Sequence, residues 1–335
     1  MKYDYMVFIG RFQPFHLGHK EVVDRALELG HKVILLVGGW GKPRSPRNPW
    51  TFDERRDMIR GVYGSNNRLI IQPIKDYTYN DNLWLEQVQN TVNGVIQDYG
   101  YQSPHEVRVG LIGCNKDHTS YYVNLFPQWG NESVEFVNPI NATDIRYHLF
   151  EDTWEGYEKF VPRQVVQSPD ILPIVSELRA EYEYYRNYRA AHSKNPYPTQ
   201  HLTADCVVIQ SGHILLVKRR SNPGKGLWAL PGGFKHTTET FKQAALRELK
   251  EETKVKVPMA VLEGSITDTF DADHPNRSER GTVVSKVFKI ELKNGPLPRV
   301  VGSDDAEKAE WIPLSALRED KFFEDHFHII RELAR

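Results

Sequence analysis

From Tyr3 to about Val137, short β-branched runs alternate with amphipathic helical stretches. A chain that keeps returning to strand after a helix must pair its strands in parallel, so this alternation predicts βαβ units around a parallel sheet. The strand-length runs are Tyr5 to Ile9, Lys32 to Val37, Leu69 to Pro73, Val107 to Ile112 and Ser133 to Val137. Between them lie His19 to Leu29, Phe52 to Tyr63 and Asn82 to Tyr99, each with helical periodicity. The second opens on Thr51-Phe52-Asp53-Glu54, a capping box in which threonine and glutamate exchange hydrogen bonds with each other's main chain. The fold class expected is α/β, a doubly wound parallel sheet with its site beyond the carboxyl ends of the strands.

The pattern then changes. Asp170 to Ala191 is helical and rich in aromatics, and Ser193-Lys194-Asn195-Pro196-Tyr197-Pro198 carries two prolines suited to an extended connector. After it come strands at Ala204 to Gln210 and His213 to Lys218, a helix at Thr240 to Glu252, strands within Thr282 to Leu292, and a helical tail from Leu314. This order predicts a separate α+β domain. The expected division is residues 1–165, a helical connector and linker over 166–200, and a second domain over 201–335. A chain of 335 residues exceeds what one hydrophobic core usually supports, which agrees with two domains.

Composition excludes several function classes. A net charge of −1 provides no whole-molecule field for collecting nucleic-acid phosphates, so no nucleic-acid partner is expected. The most apolar stretches, such as Lys32 to Gly38, are strand-length, far short of the roughly 20 residues that cross a bilayer. Only Cys114 and Cys206 are present and Met1 is followed by no secretory pattern, so a cytoplasmic, membrane-free protein without disulfides or a cysteine zinc site is expected. A homo-oligomer remains open.

Two segments carry chemistry. The first strand runs into Gly10-Arg11-Phe12-Gln13-Pro14-Phe15-His16-Leu17-Gly18-His19 and a helix follows at once. A strand, a glycine turn and a helix start place main-chain N–H groups and a positive dipole end where a phosphate can sit. His16 and His19, three apart, can both face that phosphate and donate to its oxygens. The second segment is Leu230-Pro231-Gly232-Gly233, then Glu239, then Arg247-Glu248-Leu249-Lys250-Glu251-Glu252. Glu248, Glu251 and Glu252 fall on one helix face, where their repulsion is relieved by a hard cation such as Mg²⁺ or Mn²⁺ that bridges a diphosphate and activates water. Asp305 and Glu307, in an acidic loop before Trp311, and Glu279 are candidates for the activating base.

The first segment resembles the GxFxPxHxGH signature of the nucleotidyltransferase superfamily, most like the archaeal-type nicotinamide-mononucleotide (NMN) adenylyltransferases, over roughly Met1 to Phe160. The resemblance implies a Rossmann-like domain that joins ATP and NMN into NAD. It implies ATP contacts at Gly10, Phe12, Gln13, His16 and His19, with Arg11 alongside, and an NMN site at Arg47, Asn48 and Trp84. Asn141-Ala142-Thr143-Asp144-Ile145-Arg146 resembles the family's SSTxxR signature, with Thr143 and Arg146 matching and Asn141 and Ala142 in place of the serines; Ile112 to Asp117 is a further candidate for the adenosine site. His16, His19, Arg11 and Arg146 are the implied catalytic set.

The second segment resembles the Nudix box, with Gly233, Glu248, Glu251 and Glu252 as the implied metal set, Glu251 and Glu252 catalytic, and Arg247 orienting the carboxylates. Lys254 stands where that family has glycine, and a lysine in the left-handed conformation costs about 1 kcal/mol. Asp268 to Lys286 resembles the segment preceding a late strand in ADP-ribose pyrophosphatases. The combination resembles bifunctional bacterial enzymes joining these activities. Two alternatives stay open: a Nudix domain that senses ADP-ribose or NAD without hydrolysing it, and a nucleotidyltransferase for phosphopantetheine or using CTP.

Overall fold

The computed structural model describes residues 1–100, 107–113, 125–134, 141–303 and 305–334. They divide into two compact units, Met1–Arg179 and Ala180–Arg335. The first unit contains β1 (Tyr3–Gly10), α1 (Leu17–Leu29), β2 (Gly30–Val37), α2 (Phe52–Tyr63), β3 (Leu69–Pro73), α3 (Asp81–Asp98), β4 (Val109–Gly113), β5 (Gly130–Ser133), α4 (Ala142–Phe150) and α5 (Arg163–Val166). Its strands are all parallel in the order β3-β2-β1-β4-β5. Strand order reverses between β1 and β4, which opens a crevice at their carboxyl ends. Val33 to Val37 of β2 are fully buried, as expected of a strand covered on both faces. The Thr51–Glu54 capping box forms, with Thr51 N–H donating to Glu54 at 2.8 Å and Glu54 N–H to Thr51 Oγ1 at 3.4 Å.

Two features of this unit depart from expectation. Helix α1 starts at Leu17, two residues before the predicted His19, because His16 is its N-cap. The last strand lies at Gly130–Ser133 rather than Ser133 to Val137, of which 135–137 fall outside the described residues. The Tyr3 ring packs against the Gly130 Cα and its hydroxyl donates to Glu132 at 2.8 Å, so a polar, half-exposed segment is drawn into the sheet.

Helix α6 (Ile171–His192) runs through the division between the units, which falls between Arg179 and Ala180. The second unit continues with β6 (Gln200–Gln210), β7 (His213–Arg219), β8 (Trp228–Ala229), β9 (Gly232–Phe234), α7 (Phe241–Thr253), α8 (Met259–Gly264), β10 (Ile266–Ala272), β11 (Thr282–Glu291), β12 (Ala306–Pro313) and α9 (His326–Leu333). Its sheet is mixed, in the order β10-β11-β6-β7-β12 with β8 on β7 and β9 on β6; β6 and β11 are parallel. Small residues Ala244 and Ala245 let α7 lie close on Ala204, Cys206 and Val208 of β6. Strands β10 and β12 were not anticipated, and Glu307 lies in β12 rather than in an acidic loop. Both are sheet-edge strands studded with charge, so neither shows a hydrophobic run. No described helix is long and apolar enough to cross a membrane.

Helix α7 ends on Lys254 at φ 47°, ψ 28°, with its N–H donating to the Lys250 carbonyl at 3.0 Å. The left-handed cap that the family resemblance implies at this position is therefore made by a lysine. Lys254→Gly should relieve about 1 kcal/mol of strain and raise the urea midpoint for unfolding of the second unit. A midpoint unchanged or lowered would show that the cap carries no such strain.

Candidate active sites

In the first unit, β1 ends in a turn whose shape follows from Phe12. At φ 52° Phe12 folds its ring back over Gly10, where an added Cβ would lie 2.8 Å from the ring, so only glycine fits. Phe12 and Phe15 are buried. The Gln13 amide is occupied at both ends by Trp50, donating to its carbonyl at 2.8 Å and accepting from its N–H at 3.0 Å. Phe12 and Gln13 can therefore offer a ligand main-chain groups, not side chains.

The two motif histidines cap α1 reciprocally. His19 N–H donates to His16 Nδ1 at 3.4 Å and His16 N–H donates to His19 Nδ1 at 3.3 Å, with the rings stacked at 3.6 Å. Because each Nδ1 accepts, each neutral ring carries its proton on Nε2. Arg146 of α4 reaches back to this turn, donating to the Gln13 carbonyl at 2.7 Å and to Thr143 Oγ1 at 3.2 Å. Asn141 accepts from Asp144 N–H at 2.9 Å as the N-cap of α4, the task a serine would perform there.

Two further residues organise the strand ends. The buried Arg55 of α2 donates to the carbonyls of Arg11 (2.6 Å), Gly38 (2.7 Å) and Thr51 (3.0 Å), and burial lowers its pKa to about 10. Asp76, after β3, accepts from Arg11 and Lys42, both at 2.9 Å, and from Gly39 N–H at 3.2 Å. Arg11 is thus tied to Asp76. Arg47 and Asn48 lie half-buried in the loop after β2, and Trp84 is half-buried on α3 with its ring 6.1 Å from Phe126. Residues 114–117 lie outside the described residues.

In the second unit Arg247 organises the acidic helix. Its guanidinium holds Glu239 (2.7 and 3.0 Å), Glu248 (2.8 Å) and Glu251 (2.9 Å), and its bonds push the Glu239 pKa down. Glu252 instead accepts from Gly232 N–H at 3.0 Å. Its pKa is raised to about 8, chiefly by burial and then by the charges of Glu248 and Asp205. Gly232 and Gly233 are glycines by close approach, since a Cβ would strike Asp205 at the first and Glu248 at the second. Among the described residues no three acidic, imidazole or thiol groups converge as a metal cage. The three box glutamates share a helix face but not one point, because Arg247 takes two of them.

Residues 199–333 match the NUDIX domain and residues 7–93 the cytidylyltransferase-like family. A nicotinamide/nicotinic acid mononucleotide adenylyltransferase of Acinetobacter baylyi is 34% identical over 196 residues, 58% of this chain and 98% of that protein. An ADP-ribose pyrophosphatase of Methanocaldococcus jannaschii is 37% identical over 134 residues, 40% of this chain and 73% of that one. Both likenesses meet in one solved structure, a bifunctional NMN adenylyltransferase/ADP ribose pyrophosphatase from Francisella tularensis complexed with AMP and a Mn ion. It is 31% identical, with a TM-score of 0.89 over 99% of this chain and 98% of that one. The chain belongs to this bifunctional family.

Within its Nudix unit, a cavity of about 210 Å³ opens beside the Gly232–Gly233 turn, with Glu252, Asp205, Arg219 and His326 in its walls. Of the three candidate bases, Asp305 lines this cavity; Glu307 is exposed on β12, and Glu279 contributes its charge to raising Glu181 instead. The cavity's oxygen donors suit a hard divalent cation, which would relieve the charge that burial makes unfavourable at Glu252.

The raised pKa of Glu252 has a sign that can be tested. Its ionisation is harder folded than unfolded, so in metal-free protein its contribution to stability falls as pH rises from about 4.5 to about 8 and is level above. Glu252→Gln should remove that slope and be more stable than the unmodified protein at pH 9. Urea unfolding in chelator across this range checks it; parallel curves would refute the assignment.

Proposed function

We propose that the first unit transfers AMP from ATP to NMN, giving NAD and pyrophosphate, and that the second hydrolyses ADP-ribose to AMP and ribose 5-phosphate with Mg²⁺ or Mn²⁺. The observation that carries the first half is the reciprocal His16–His19 cap at the start of α1, beside the point where strand order reverses. Two Nε2–H donors held in one orientation meet the ATP phosphates, with the positive end of α1 behind them. Arg146 joins them from α4. The NMN phosphate attacks the α-phosphorus of ATP directly, so the enzyme positions both phosphates and stabilises the departing pyrophosphate without forming a covalent intermediate. Arg47 and Asn48 take the NMN phosphate and Trp84 its base.

In the second unit Glu248, Glu251, Glu252 and the main chain at Gly233 would hold the divalent cation. The ion, when bound, neutralises the diphosphate and lowers the pKa of a bound water. Arg247 fixes the carboxylates' orientation. Asp305, on the cavity wall, is positioned to take the proton of the attacking water.

His16→Asn retains an oxygen that can accept from His19 N–H but removes Nε2–H. It and His19→Ala should each lower the rate of NAD formation by about a hundredfold or more. Glu252→Gln should abolish ADP-ribose hydrolysis while leaving NAD formation intact in the same preparation. Normal turnover in both histidine variants would reject the phosphate role, and loss of NAD formation in folded Glu252→Gln would reject two independent sites.

A further inference from the structure

The segment Glu324-Asp325-His326 binds three different places around the Nudix cavity. Glu324 accepts from Ser278 at 2.6 Å and pairs with Arg280 at 3.3 Å, while Asp325 holds Arg277 in a buried two-point ion pair at 2.8 and 2.9 Å. His326, 7% exposed, accepts through Nδ1 from Leu230 N–H at 2.9 Å, just ahead of the Gly232–Gly233 turn. With Nδ1 occupied as an acceptor, the neutral ring carries its proton on Nε2. Burial pushes the imidazole pKa down to about 3, so the ring stays neutral at working pH.

His326 lines the cavity, and among the described residues Nε2 has no hydrogen-bond partner. The other buried groups in that wall are largely paired: Asp205 accepts from Ser285, Arg277 is held by Asp325, and Arg280 by Glu324. Arg219 is the second exception. Its Nε donates to the Pro223 carbonyl at 2.7 Å and its guanidinium lies over Phe323 at 4.1 Å, but neither terminal nitrogen has a partner among the described residues. Two unengaged donors in the wall of one cavity select a ligand rich in acceptors and negative charge.

We propose that His326 is a substrate-binding residue of the Nudix site, donating Nε2–H, beside the terminal nitrogens of Arg219, to a non-bridging oxygen of the substrate's diphosphate. This rests on the pyrophosphohydrolase reading above. It gives the histidine two roles at opposite edges of one ring: Nδ1 pins the Leu230 turn, and Nε2 meets the ligand.

Two variants separate these roles. His326→Asn places an oxygen near Nδ1 and nothing at Nε2; His326→Gln places an NH₂ near Nε2 and nothing at Nδ1. His326→Asn should keep the melting temperature but lower kcat/KM for ADP-ribose by about 10- to 150-fold, the range for a hydrogen bond to a charged group. His326→Gln should melt lower yet stay within a few-fold of normal kcat/KM. The opposite pattern, or unchanged kcat/KM in His326→Asn with hydrolysis intact in the unmodified protein, overturns the proposal while leaving the hydrolase reading standing. Titration with inorganic pyrophosphate and Mn²⁺ separates the two ideas further. If the unmodified protein ignores ADP-ribose but binds pyrophosphate, and His326→Asn loses that binding, the donor assignment holds and the substrate is wrong; binding of neither ligand overturns both. As a check independent of the variants, the ¹⁵N-histidine spectrum of the unmodified protein should show a protonated Nε2 at His326 that shifts on adding pyrophosphate, and an unmoved signal counts against the proposal.

Discussion

Arg55 is buried in the first unit with its guanidinium on main-chain carbonyls at the ends of β1 and β2 and at the start of its own helix. A cation so placed would be costly without those oxygens, and the carbonyls would lose their partners without the cation. It therefore holds the carboxyl edge of the sheet in one arrangement. The Gln13–Trp50 amide exchange and the Arg146 bond to the Gln13 carbonyl act on the same edge. The histidine pair stands on a turn that the distant side chains of Arg55 and Arg146 and the turn's own Gln13, bonded to the Trp50 main chain, fix together.

The second unit uses the same device with the charge inverted. Its turn at Leu230–Gly233 is held by Glu252 on the Gly232 N–H and by His326 on the Leu230 N–H. Arg247 meanwhile gathers Glu239, Glu248 and Glu251. The acidic helix face is thereby divided: one part is neutralised by an arginine, and the remaining carboxylate, Glu252, is buried with its pKa raised to about 8. A buried carboxylate that burial makes hard to ionise is prepared for a cation, because binding removes a penalty as well as making a bond.

Departures from the two family patterns are absorbed locally. Asn141 caps α4 as a serine would, since either side chain offers an oxygen to the same N–H. Lys254 adopts the left-handed geometry that glycine would adopt more cheaply, and α7 still closes on Lys250.

Short-range chemistry was legible in the sequence. The bounds of α2, Phe52–Tyr63, follow from a capping box at one end and Gly64 at the other, both contained in the local chain. The helical spacing of Glu248, Glu251 and Glu252 and the three-residue separation of His16 and His19 follow equally from local geometry, while the left-handed position at Lys254 was implied by the family resemblance. Strands β10 and β12 did not, because edge strands show water a charged face and need no hydrophobic run. Tertiary structure alone decided which partners those residues meet. It set Arg55 on carbonyls just beyond the ends of two strands, gave Glu252 the Gly232 N–H, and brought His326 to Leu230. Hydrogen bonds between residues far apart in the chain leave no periodicity to read; they exist only once the sheets have brought those segments together.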